Sequence, residues 1–237
     1  MLPSPIVFPL PIPASSGQLL LVVAPDWNST AAHLQRFERP AGGKDWAPIG
    51  IAIPVSLGRS GLAWGRGRHS KVDGAEKREG DGCAPAGVFA ITALFGDGVA
   101  NSPLGGAAKL PYLPTSPDLK AIDDPGSTFY NRIVDQRTVT PDWSSCEDML
   151  RSDERYALGA VVAHNVAPAV PGAGSCIFMH VWEHAGAPTA GCTAMELADM
   201  RVLAGWLNAD AMPLLVQLPQ AEFEARRVAW GLPSPVV

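Results

Sequence analysis

The chain has 237 residues and a formal net charge of -5, with 47% of its residues hydrophobic and 17% charged. That balance excludes an intrinsically disordered chain, and a pI near 5.5 excludes a broadly basic nucleic-acid binder. With 24 glycines and 23 prolines, the sequence argues against a helical bundle and for short strands joined by long loops.

Residues 1–17 carry Pro3, Pro5, Pro9, Pro11 and Pro13, a spacing that favours an extended N-terminal arm. No lysine or arginine precedes Arg36, so this arm does not read as an export signal. No later stretch approaches the roughly 18 apolar residues of a membrane span. A main domain over 18–218 and a helical tail over 219–237, packed on the same domain, complete the expected organisation.

Taken in chain order, Leu19 to Ala24 reads as a buried strand. Ile49, Ile51, Ile53, Val55 and Leu57 alternate with small or polar residues and predict a second strand, which Pro54 pushes toward an edge or a bulge. Val88 to Phe95 is a third strand, and 98–127 reads as a long ordered loop of the kind that caps a cleft. Ser145 to Tyr156 has a serine followed three residues later by an acid and predicts a helix. Ala160 to His164 and Cys176 to Trp182 are further strands. Thr193 to Leu207 predicts a helix, Leu214 to Leu218 a closing strand, and Ala221 to Trp230 a C-terminal helix ended by Gly231 and Pro233. The fold class is therefore α+β and strand-dominated, with a few short helices and long loops.

Chemistry concentrates between Ser175 and Met195. Cys176, Phe178, His180 and Trp182 fall on one face of their strand, and the apolar Ile177, Met179 and Val181 on the face expected to meet the core. Thr193-x-x-Glu196 reads as a capping box, placing Cys192 just before a helix, where free N–H groups and the dipole lower a thiol pKa. The backbone N–H groups of Gly191 and Cys192 are candidate oxyanion donors. His180 and Cys192 thus form a candidate base and nucleophile. The plainer readings are a small buried hydrophobe and a satisfied core histidine, and His164, His180, His184 and Cys192 form a rival metal set.

Cys83 and Cys146 complete the four cysteines; the absence of a C-x-x-C pair excludes a zinc knuckle or thioredoxin-like motif. The sequence does not pair them. Tyr156, His164, Asn165, Trp182 and Thr189 are candidate cleft residues, with Lys77, Arg78 and Arg155 as partners for substrate carboxylates. The alternatives for these are an edge-packed aromatic, a capped turn and a solvated charged face. Trp64 reads as a core cover.

The run from His180 to the T-A-G-C-T-A-M of Thr189–Met195, together with Lys77-Arg78-Glu79-Gly80-Asp81-Gly82 and Pro85-Ala86-Gly87-Val88-Phe89, resembles the L,D-transpeptidase catalytic domain of the YkuD type. The resemblance implies a mixed β-sandwich-like domain, with Cys192 as nucleophile at the base of a cleft and His180 as its base, oriented by a backbone carbonyl. It implies peptidoglycan stem peptides as donor and acceptor, a thioester intermediate, reactivity toward carbapenems, and a bacterial envelope, periplasmic location, the leader absent from this sequence. It calls for no metal, cofactor, nucleic acid or transmembrane segment. The chain departs from the pattern twice. His180-Val181 stands where relatives have His-Gly, and Gly191-Cys192-Thr193-Ala194 where relatives have Gly-Cys-x-Arg. Cross-links between two diaminopimelates or from L-alanine to diaminopimelate, hydrolysis of the stem, and a non-catalytic wall-binding module all remain open on the sequence.

Overall fold

In the computed structural model the residues described are 11–40, 42–98 and 108–234. The apolar runs become β1 (Gln18–Ala24), β2 (Ala31–Glu38), β3 (Ala47–Ser56), β4 (Leu62–Trp64) and the long β5 (Ala84–Gly96). Beyond them come β6 (Tyr112–Pro114), β7 (Leu119–Ala121), β8 (Ile133–Asp135), β9 (Glu147–Asp148), β10 (Leu158–Val162), β11 (Phe178–Val181), β12 (Thr193–Met195) and β13 (Leu214–Pro219). Two α-helices are present among the described residues, α1 (Leu197–Trp206) and α2 (Gln220–Trp230).

The main sheet runs β10-β11-β12-β3-β2-β1-β13-β5, and β5 pairs back onto β10, so the pairings close into a ring. The length of β5 makes this closure. Its Gly87–Ala90 half pairs with β13 and its Ile91–Gly96 half with β10. Most neighbours are antiparallel, but β1·β13 and β11·β12 are parallel. The fold is a strand-dominated α+β domain with mixed sheets. β3 meets β12 only at Ser56, so Pro54 lies where no ladder donor is required, and Ile51 on this strand is 85% exposed.

The alternation along Cys176–Trp182 separates two cores. Ile177, Met179 and Val181 enter the large cluster inside the ring. Cys176 and Phe178 face a smaller one, shared with Phe95, Ala121, Met149, Tyr156 and Cys192. That second cluster is roofed by a three-stranded sheet, β8-β7-β9, built from the 115–150 region. Of the segment read as one long loop, 99–107 lies outside the described residues, and 112–121 supplies β6 and β7.

Two predicted helices differ. The expected helix over 145–156 is instead β9 followed by a short 3₁₀ turn at Glu154–Tyr156. Ser145 does not cap this segment: its Oγ donates to Asp123, as that of the preceding Ser144 does to Asp124, tying the chain to the neighbouring strand's exit. The helix expected from Thr193 begins at Leu197, because Thr193–Met195 are captured by pairing with Met179–Val181.

α2 packs on β13 and β1 through Phe223, 1% exposed, a burial contributing about 1.5–3 kcal/mol, and ends at Gly231 with φ 66°. Of the proline-rich arm, residues 1–10 lie outside the described residues. Farther along, Ile12 sits in the main core, and the Arg39 guanidinium donates to the Pro13 and Ser16 carbonyls at 2.6 and 2.8 Å.

Candidate active site

The parallel register of β11 and β12 sets His180 beside Ala194 and Met179 beside Thr193. One step earlier, the Phe178 N–H donates to the Cys192 sulfur at 3.3 Å. Side chains alternate along both strands, so Cys192 and His180 share a face. Both line a cleft of about 190 Å³ with Glu147, Arg151, Arg155, Tyr156, Trp182, Glu183, Thr189 and Ala194.

His180 is 7% exposed, and its Nδ1 lies 2.8 Å from the Val181 carbonyl. That carbonyl can only accept, so Nδ1 carries the hydrogen and Nε2 keeps its lone pair. Burial lowers its pKa to about 4, offset in part by that hydrogen bond. The imidazole is therefore neutral at pH 7. Cys192 is 8% exposed. Burial pushes its pKa up to about 12, and the Glu147 charge adds to this against the Phe178 N–H and Lys77. The expectation of a thiol acidified by a helix N-terminus is thus overturned: Cys192 precedes a strand, and the helix starts five residues on.

Thr189 builds the turn that presents Cys192. Its hydroxyl donates to the Cys192 carbonyl at 2.7 Å and accepts the Gly191 N–H at 3.1 Å. The Gly191 N–H is consequently engaged within the turn, leaving the Cys192 N–H as the backbone candidate for an oxyanion. Gly191 has φ 150°, and a Cβ there would stand 3.0 Å from the Cys83 carbonyl oxygen.

The Lys77–Gly82 segment acts from behind. Lys77 is 5% exposed and pairs with Asp81 at 2.5 Å, while Asp81 also accepts the Arg78 and Cys83 N–H groups. Glu79 accepts the Ser175 hydroxyl at 2.8 Å and that of Tyr130. This motif clips the strands that carry the thiol, and neither Lys77 nor Arg78 lines the cleft.

His164 and Asn165 also lie elsewhere. His164 accepts the Arg66 N–H at Nδ1 and lies 3.0 Å from the Ala173 carbonyl at Nε2, while Asn165 holds Val170 and Gly174. Both are 1% exposed and brace the 165–174 loop. Among the described residues no three His, Cys, Asp or Glu side chains are grouped to hold a metal ion, and no helix is long and apolar enough to cross a membrane.

Tyr156, Trp182 and Arg155 do line the cleft. The Tyr156 ring meets His180 edge-on at 5.4 Å, and its hydroxyl donates to Glu147. Arg155 and Arg151 both bind Asp153, and Arg151 lies 5.3 Å over the Tyr156 ring. Sequence reasoning missed Arg151, Glu147 and Glu183. The Arg151-x-Asp153-x-Arg155 spacing was a usable signal for Arg151. Glu147 had none, because it arrives through the pairing of β9 with β7.

A family model, YkuD, the L,D-transpeptidase catalytic domain, matches residues 43–218. Neither a curated protein nor a solved structure matches the chain. β1 and β2 begin before the matched span yet are hydrogen-bonded into the same sheet. With the match covering well over half of its length, the chain belongs to the L,D-transpeptidase catalytic domain family, whose members depend on a cysteine and act on peptidoglycan.

Proposed function

We propose that this protein is a peptidoglycan L,D-transpeptidase of the bacterial envelope, acting in the periplasm through Cys192 and His180. The observation that carries this reading is their placement on one face of the β11–β12 seam, in one cleft, with the His180 Nδ1–H committed to Val181. Nε2 is then the atom that takes the Cys192 proton. The sulfur attacks the donor carbonyl, the carbonyl oxygen becomes an oxyanion facing the Cys192 N–H, and the amide bond to the departing D-residue breaks as His180 returns the proton to the leaving amine. A thioester on Cys192 remains.

Arg155 and Arg151, fixed by Asp153, supply donors for the donor's terminal carboxylate. They stand in for the arginine missing after Cys192. Tyr156 and Trp182 supply apolar walls, and Thr189 holds the presenting turn. An amine of a second stem then takes the acyl group, giving the cross-link; water in its place gives hydrolysis.

The test is incubation with a disaccharide-tetrapeptide muropeptide followed by mass spectrometry, beside Cys192→Ala. A dimer lacking one D-alanine is the expected product, and it is absent from the variant. A carbapenem adds its mass to the wild type alone. A dimer that forms equally in the variant overturns the assignment.

A further inference from the structure

The cleft contains a carboxylate for which the first half-reaction has no use. Glu147 faces the site from β9, positioned by the Ala121–Glu147 pairing with β7, and Ala121 packs in the same cluster as Cys192. Its negative charge raises the thiol pKa, opposing the thiolate. A half-buried carboxylate is costly to hold without partners. Here the Tyr156 hydroxyl donates to Oε2, while Oε1 takes no hydrogen bond among the described residues. Burial holds the Glu147 carboxyl above its ordinary range; Asp123 and Glu79 add to this, and Tyr156 and Arg151 offset it.

What such a group complements is a cation. The second substrate is an amine, an ammonium at neutral pH that has to lose a proton before it can attack. We propose that Glu147 binds the ammonium of the acceptor and takes its first proton, an assignment that rests on the transpeptidase reading above.

The steps balance as follows. The ammonium gives one proton to the Glu147 carboxylate, and the freed lone pair attacks the thioester carbonyl, forming the C–N bond. His180 Nε2 takes the second proton from nitrogen. The C–S bond breaks, the sulfur departs with its electron pair and takes that proton from His180, and Glu147 releases its own proton to solvent. Glu147 thereby selects amine over water, whereas Arg151 and Arg155 answer the donor's carboxylate.

The experiment reads the ratio of transfer to hydrolysis, which cancels any change in acylation. Wild type, Glu147→Gln and Glu147→Asp are given the tetrapeptide muropeptide as donor and acceptor, and cross-linked dimer and shortened monomer are both counted. In parallel, hydroxylamine, neutral at pH 7, serves as acceptor. Glu147→Gln retains an oxygen for the Tyr156 hydroxyl and is expected to lower the dimer-to-monomer ratio at least about tenfold. Its hydroxylamine ratio stays at the wild-type value, and Glu147→Asp recovers part of the dimer ratio. An unchanged dimer ratio in Glu147→Gln, an equal fall with hydroxylamine, or no recovery in Glu147→Asp overturns the assignment. If the wild type releases no D-alanine at all, the transpeptidase reading itself fails and takes this assignment with it.

Discussion

The backbone N–H of Phe178 and the sulfur of Cys192 lie 3.3 Å apart, joining the thiol to the strand that carries His180. This contact fixes the sulfur in the second core and keeps it from solvent. The N–H favours a thiolate, but burial outweighs it, so Cys192 is a thiol in the same cleft as a neutral imidazole.

A first expectation follows for thiol chemistry. With its pKa near 12, Cys192 of the free protein alkylates slowly at neutral pH, and its rate with iodoacetamide keeps rising beyond pH 9. Mass-resolved alkylation, with peptide mapping to separate Cys83 and Cys146, measures this. A rate that levels off below pH 8 contradicts the buried-thiol state.

Gly191→Ala tests the turn. Its methyl meets the Cys83 carbonyl at 3.0 Å, on a backbone at φ 150° that side chains rarely adopt. Carbapenem acylation falls at least about a hundredfold, as a displacement of about 1 Å at a nucleophile does. Acylation at the wild-type rate shows that the turn has slack.

Asp81→Asn leaves the buried Lys77 charge without its counter-ion. Breaking one side of a buried pair costs about 3 kcal/mol, and in a chain of this size that lowers Tm by about 10 °C. Thermal unfolding by circular dichroism gives the answer. A shift under 2 °C contradicts a structural role for the Lys77–Asp81 clip.

Stability also depends on three imidazoles. His69, His164 and His180 all have pKa values lowered to about 4, with burial the main cause. Unfolding returns them to about 6.5, so between these values the unfolded chain binds more protons. Their contribution is complete above pH 6.5 and is lost as pH falls toward 4, at up to about 1.4 kcal/mol per pH unit for each. Glu147, whose pKa is raised, acts in the opposite sense. Urea unfolding at pH 7, 5.5 and 4.5 should show falling stability, and a flat profile contradicts the three neutral histidines.

Cys192 and His180 were legible as a candidate pair because they lie twelve positions apart across one loop, and alternation along Cys176–Trp182 already set His180 on the face opposite Met179 and Val181. The strands with strong apolar patterns were legible for the same reason. The Thr193–Glu196 box misled because local capping lost to ladder bonds with β11, a partner no local window displays. The Ser145–Tyr156 segment misled likewise, the hydroxyl of Ser145 bonding to Asp123. Glu147 was illegible as a cleft residue because pairing to β7, some 26 positions earlier, carries it to the site.

The connection from β11 to β12 is both a wall of the cleft and the carrier of Cys192. Its outer part, Glu183 to Gly186, is exposed, whereas Thr189 and Gly191 are tied to Cys192 and to each other. Chain length can therefore change at 183–186 while the thiol keeps its place in the sheet. Because Glu183 lines the cleft, residues added there change the shape of its wall while the turn that holds Cys192 stays as it is.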